Sequence, residues 1–365
     1  MRNLRQSNER QPNQFVDQNR PDLVARICYN SSLMLKNKKV RGILQIFLSL
    51  ALLTWLISRA GLDEIVQTFA NLNWSWYILA LGLFVLNVFI RAYRWYLLLH
   101  ALNDRPTFRH LVYLYFVGFF ANNFIPSGFG GDVIKVVNLR RTYGRGTEAL
   151  SSVMMDRLTG LLGSALIAVV ALIWNSLGHI TAVTLPPALW TAVALLSMGI
   201  PAGFFIIRWG NPLAFIAKRW PKIQRLPKYD KLEQLVETVN RYPTRALASS
   251  LLTSLPFTLS LILLQYSIAK ALSVNLSIAT FALFVPIISV INLLPLSFNG
   301  LGVREGAYQF LFVPLGVPDA SAIAMSLAFY FLRFGSGLIG GLMIAIRSAI
   351  DFIQAAQTKN LQIGD

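Results

Sequence analysis

The chain has 365 residues, of which 55% are hydrophobic and only 13% charged, and its mean hydropathy is +0.54. A soluble globular domain carries about 25% charged residues, so this composition excludes one and defines an integral membrane protein. The formal net charge of +17 does not imply nucleic acid, because the cations fall in loops between apolar runs, the bias that sets membrane orientation.

Residues 1–41 form a polar, basic tail with nine Lys and Arg against three acids. It is rich in Asn, Gln and Arg, reads as disordered and cytoplasmic, and lacks the apolar core of a cleaved signal peptide. Its Cys28 is the chain's only cysteine, so the chain forms no internal disulfide and no cysteine metal site. The integral part is read as 42–347 and a cytoplasmic C-terminal tail as 348–365.

Long apolar runs occur at Gly42–Ser58, Trp76–Leu99, Leu158–Trp174, Ala188–Ile207, Ala246–Ala269 and Ala320–Ile346. Each approaches the roughly twenty residues that cross a bilayer. Shorter or broken runs lie at Leu111–Ile125, Ile278–Leu296 and Ala307–Gly316. With the tail inside, Gly42–Ser58 runs outward to a loop with Asp63 and Glu64. Trp74, Trp76 and Tyr77 anchor the return span, which ends near Arg91, Arg94, Arg105 and Arg109, assigned to the cytoplasmic side. Leu111–Ile125 then leaves the cytoplasm, yet Lys135, Arg140, Arg141 and Arg145 after its break also belong there. A re-entrant hairpin resolves the conflict. Residues 175–187 hold no Lys, Arg, Asp or Glu and suit the outer face, whereas 208–245 is a basic cytoplasmic loop. Within it, Leu232, Leu235, Val236 and Val239 follow helical spacing, which fits an amphipathic helix on the membrane surface or one packed on the hairpin loops. Arg347 and Lys359 place the C-terminus inside, so the segment 270–319 begins and ends outside and its broken run dips in from the outer face. The expected fold is an all-α membrane bundle with two re-entrant hairpins in an inverted repeat, both termini cytoplasmic, in the plasma (inner) membrane. Eight full spans also fit.

The two breaks resemble each other. One reads Asn123-Phe-Ile-Pro126-Ser-Gly128-Phe-Gly130-Gly131-Asp132, the other Asn292-Leu-Leu-Pro295-Leu-Ser-Phe-Asn-Gly300-Leu-Gly302-Val-Arg304-Glu305. Broken helices in matched halves of a membrane protein point to a binding site near the midplane. Pro126, Gly128, Gly130, Gly131, Pro295, Gly300 and Gly302 supply the bends. Asp132 and Lys135 share a helix face, and the glycines before them expose amides that suit an anion, or that Asp132 caps. Asp156 and Arg157 open an otherwise uncharged span, either pairing Arg157 with Asp132 or sitting in the headgroup layer. Arg333, in the middle of the last span, needs a partner, for which Glu305 is the expected carboxylate. Asn123, Asn292 and Arg304 complete the candidate binding set. Gly335-Ser-Gly337-Leu-Ile-Gly340 spells a dinucleotide fingerprint but follows no strand; Gly337 and Gly341 read instead as a surface for close helix contact. His100, His110 and His179 show no ligand spacing, and no nucleophile–base set is visible. No enzyme, cofactor or metal is expected.

The ordered set Asn-x-x-Pro with Gly130-Gly131-Asp132, then Asp156-Arg157-Leu-x-Gly160, then Asn292-x-x-Pro295 with Gly300, Gly302 and Glu305, resembles the lysylphosphatidylglycerol synthase transmembrane family over about residues 40–347. The resemblance implies a flippase-like protein that moves an anionic lipid or lipid-linked group. Lys135 departs from the arginine expected in many members and loses bidentate phosphate geometry. The soluble aminoacyl-transferase domain of the synthases is not part of these 365 residues, so lysyl transfer is not expected. Two other functions fit the same features. One is a non-transporting subunit docked to an envelope glycosyltransferase or lipid-modifying enzyme through 208–245, and the other is an ion-coupled solute transporter using Asp132 or Glu305.

Overall fold

The computed structural model describes residues 46–102, 106–124, 130–144, 146–177, 187–210, 212–221, 229, 233, 236–237, 240–292 and 297–363. Every regular element among them is a helix, as the continuous apolar runs require: in hydrocarbon the backbone must satisfy its own hydrogen bonds.

Helix α1 (Ile46–Ala60) bends by 79° into α2 (Leu62–Ala70). Gly61 sits at the bend with φ 83, where a side chain would be strained. The expected outer loop is therefore mostly helix, and Asp63 and Glu64 occupy the first turn of α2, complementing its dipole. Helix α3 (Trp74–His100) starts at Asn73, whose side chain accepts from the amides of Ser75 and Trp76. Helix α4 (Phe108–Phe124) and α5 (Gly130–Tyr143) flank the first break, and α6 (Gly146–Ser176) follows. Then come α7 (Pro187–Gly210), α8 (Pro212–Arg219) and α9 (Thr244–Ala271). Helix α10 (Ile278–Ile291) and α11 (Val303–Phe312) flank the second break, joined to the last helix, α12 (Asp319–Ile363), by a single 3-10 turn at Val313–Leu315.

Four of these helices, α3, α6, α9 and α12, are long and apolar enough to cross a membrane, and the α1–α2 pair makes a fifth candidate. In the apolar windows of α3 and α12 only 22% of residues are buried within the chain, which leaves most of their apolar side chains available to lipid. By contrast α10, with 14 residues, is about 21 Å long at about 1.5 Å per residue, short of the roughly 30 Å hydrocarbon core. Helix α11 is shorter still, with 10 residues. Such lengths favour hairpins over eight complete spans.

Two expectations change. Helix α6 begins twelve residues before Leu158 (at Gly146), so Asp156 and Arg157 lie well inside a helix rather than opening one. The last helix continues unbroken through Ile363, across the boundary drawn at 347. In the basic segment, Tyr229, Glu233, Val236, Glu237, Asn240 and Arg241 are helical, while Leu232, Leu235 and Val239 lie outside the described residues.

Each hairpin has antiparallel arms. In the first, His110 near the start of α4 meets Asn138 near the end of α5 (2.8 Å), while Gly118 and Gly131 touch backbone to backbone. In the second, Phe281 and Phe284 of α10 pack on Phe312 of α11 (5.5 and 5.2 Å between centroids), and Asn292 approaches Gly300. The packing is reciprocal: α4 lies against α12 and α10 against α6, while α5 packs on α6 and α11 on α12. The first arm of each hairpin thus leans on the long helix that follows the other hairpin. On α12 the glycine surface is real: a Cβ at Gly337 or Gly340 would run into the backbone of Phe119 or Phe116 of α4, and one at Gly341 into the ring of Phe120. Helices α3 and α9 pack along most of their length, tied by Asn87 donating to the Phe257 carbonyl (2.9 Å) and to Ser260 Oγ (2.8 Å).

Candidate functional site: a cation-lined cavity between the two hairpins

A cavity of about 260 Å³ opens between α3, α4, α5, α6, α9, α10, α11 and α12. Its first wall is built by the close approach of the hairpin arms. A Cβ at Gly131 would stand 2.7 Å from the Gly118 carbonyl oxygen, so only glycine permits the contact. The Gly131 amide, free at the start of α5, donates to Asn122 Oδ1 (2.8 Å). One residue on, Asp132 faces the cavity and forms an ion pair with Arg157 Nε, the pairing the sequence suggested. Lys135 Nζ is 4.0 Å from Asp132 Oδ1, one helical turn along, and lies 3.2 Å from the centroid of the Tyr115 ring. Lys135 is 4% exposed; the aromatic face supplies part of the attraction that water would otherwise give.

Behind this wall sits a second ionic group. Asp156 is 3% exposed and accepts from Arg94 Nε (2.7 Å) and from the Tyr115 hydroxyl (2.9 Å), and Arg91 Nε is 3.7 Å away. Arg94 Nη1 also donates to Ser254 Oγ (3.1 Å). Gly160 makes room for that guanidinium, since a Cβ there would fall 2.9 Å from Arg94 Nη1. By sequence alone, Arg91 and Arg94 fall at the cytoplasmic end of the span Trp76–Leu99 and have no part in the site. The structure keeps both on α3 and turns them into the bundle, with Arg94 1% exposed. A signal was available: Asn87, Arg91 and Arg94 recur at four- and three-residue intervals, one stripe of a helix. Tyr115, Gln265, Ser289 and Tyr308 also line the cavity without standing out in the sequence.

The far wall carries Asn292 and Arg333. Arg333 does not meet Glu305. Its Nη2 donates to Asn299 Oδ1 (3.4 Å), a residue held at φ 50 by the second bend. Glu305 is fully enclosed and belongs to Arg304: Arg304 Nη2 donates to Glu305 Oε1 (2.8 Å), and Ser326 accepts from Arg304 Nε (2.7 Å) and donates to the same carboxylate oxygen (2.8 Å). The other carboxylate oxygen accepts the Gly302 amide (2.6 Å), closing the start of α11. Gly302 at φ 81 and Gly300 at φ 81 allow this turn. Arg304 and Glu305 are therefore a sealed structural pair outside the cavity. Asn123 also lies outside it, wedged beside Gly337. Pro126, Gly128 and Pro295 fall outside the described residues, while Gly130 and Gly131 start α5 as expected. Among the described residues no three His, Cys, Asp or Glu side chains are grouped to hold a metal ion.

Of the sequence candidates, Asp132, Lys135, Arg157, Asn292 and Arg333 thus share one chamber, with Asp156 directly behind it. Fold and site define a class: a multi-pass α-helical membrane protein enclosing a cation-rich cavity between two broken helix pairs. Residues 42–341 match the family described as the lysylphosphatidylglycerol synthase TM region, and the chain belongs to that family. It is similar to a UPF0104 membrane protein of Methanothermobacter thermautotrophicus, 26% identical over 336 residues, covering 84% of this chain and 93% of the relative. A UPF0104 membrane protein of Pyrococcus horikoshii is 22% identical over 331 residues, covering 83% of this chain and 95% of the relative.

Proposed function

We propose that the protein is a translocator, not an enzyme, that carries an anionic lipid or lipid-linked headgroup through this cavity across the plasma membrane. The observation that supports it most is the cavity's charge: Arg91, Arg94, Lys135, Arg157 and Arg333 line it, with Asp132 as the lining carboxylate. Fixed cations in a sheltered site attract an anionic headgroup strongly, because water does not screen them there. The reciprocal packing of the hairpins on α6 and α12 supports an inverted repeat with the site at its centre. No motor is needed if movement follows a gradient of lipid or ion. The test is the full chain in vesicles carrying a headgroup-labelled anionic lipid, with an impermeant quencher outside. Protein-containing vesicles should expose the inner-leaflet label far faster than empty ones, and Lys135→Gln should slow the exchange. Equal rates with and without protein for every anionic lipid tried reject the proposal.

A further inference from the structure

We infer that the occupant of the cavity carries two negative charges close together, as a phosphate monoester or diphosphate does, and that Arg333 and Arg91 hold it. The inference rests on reading the cavity as a binding chamber for an anionic headgroup, but it does not require that the headgroup be moved.

The cations of the cavity are not equivalent. Arg94 and Arg157 each have a carboxylate at their guanidinium, Asp156 and Asp132 respectively. Lys135 shares Asp132 at the longer distance of 4.0 Å. Arg91 is less well served. Its Nε is 3.7 Å from Asp156 Oδ2, beyond hydrogen-bond distance, and this buried nitrogen has no hydrogen-bond partner among the described residues. Arg333 has an amide oxygen at 3.4 Å and, among the described residues, no carboxylate within ion-pair distance. Arg304 in the same half shows what full compensation looks like, with Glu305 and Ser326 on its donors.

Five cations therefore face two carboxylates, and the excess sits on Arg91, Lys135 and Arg333. Uncompensated charge at membrane depth is costly, so an occupant is favoured in proportion to the charge it brings. A phosphodiester brings one negative charge. A phosphate monoester brings about 1.5 to 2 near neutral pH and has three acceptor oxygens for two arginine forks. A headgroup bearing an added amine would oppose the surplus. The volume, about 260 Å³, is small beside ligand pockets of roughly 300–1,000 Å³, which suits a compact headgroup with its chains left outside.

The experiment measures binding by the detergent-purified full chain at mildly alkaline pH, using short-chain phosphatidic acid, the matching phosphatidylglycerol, and free pyrophosphate. Phosphatidic acid should bind about tenfold or more tightly than phosphatidylglycerol, a difference of the size one extra charge contact gives. Arg333→Gln and Arg91→Gln should each erase most of that preference, and Arg333→Lys should keep it. Competition by pyrophosphate supports recognition of the charge itself. Tight pyrophosphate binding without phosphatidic acid binding also supports the double charge while assigning it to a soluble occupant. If the glutamine variants do not fold, the wild-type preference and Arg333→Lys still decide. Equal affinity for the two lipids, no binding of any probe, or an undiminished preference in both folded glutamine variants overturns the inference. Failure of lipid exchange in vesicles with this preference intact would reject translocation alone.

Discussion

Asp156 and Glu305 are both buried carboxylates bonded to an arginine, yet they do different work. Glu305 closes a turn and neutralises Arg304 out of reach of the cavity, whereas Asp156 gathers Arg94, Arg91 and Tyr115 at its edge. Asp156→Asn leaves the buried Arg94 without its counter-charge and is expected to cost about 3–5 kcal/mol. Thermal melting in detergent should show a marked fall for Asp156→Asn and for Arg94→Leu. The pair Arg94→Leu with Asp156→Asn should lose less than the two single changes added, because neither charge is then stranded. Additive losses would show that the pair is not coupled. These ion pairs were only partly legible beforehand. Asp132 with Arg157 stood out because charges interrupt apolar runs. Arg333 stood out for the same reason, but its assignment to Glu305 failed: adjacency in sequence lets Arg304 reach that carboxylate first, with Ser326 completing the network.

At the scale of elements, glycine decides how the hairpins close. Gly131 against Gly118 fixes the first pair of arms, and Gly337, Gly340 and Gly341 bring α12 onto α4. Gly131→Ala should therefore displace Asp132 and Lys135 along with α5, at an overpacking cost of about 1–3 kcal/mol. Gly335→Ala is the matched control, since a Cβ there meets nothing within 4 Å. Disulfide trapping between cysteines placed at His110 and Asn138, in a Cys28→Ser background, reads the arm spacing directly: trapping should fall with Gly131→Ala and stay with Gly335→Ala. Unchanged trapping in both would mean that the arms close without the glycine contact. Most helices were visible in the sequence because long apolar runs must be helical in lipid. Helix α2 and the first turns of α6 were not, because both are polar at their starts and hydropathy marks only the apolar remainder. Helix α3 was visible almost to its ends, as Trp76–Leu99 against Trp74–His100, but its polar face was not. Its arginines resemble the basic end of a span until their spacing with Asn87 is read as one face.

For the whole molecule, the decisive question is whether the two hairpins enter from opposite sides. The antiparallel arms and the exchanged packing of α4 on α12 and α10 on α6 are what a two-fold arrangement in the membrane plane produces. Loop charge gives the direction. Thr142 at the end of α5 follows Arg140 and Arg141, which favours the cytoplasm, whereas the turn between α9 and α10 contains Asn275 and only Lys270 nearby. Because Cys28 is the only cysteine, a Cys28→Ser chain gives a clean background for one new thiol at a time. Thr142 and Asn275 are both exposed, so either tolerates the change. An impermeant maleimide added to intact cells should label Asn275→Cys and not Thr142→Cys; in inside-out vesicles the order should reverse. Labelling of both from one side would place both hairpin mouths on the same face. The cavity would then be an inlet open to a single compartment, which can bind an anion but offers it no second exit.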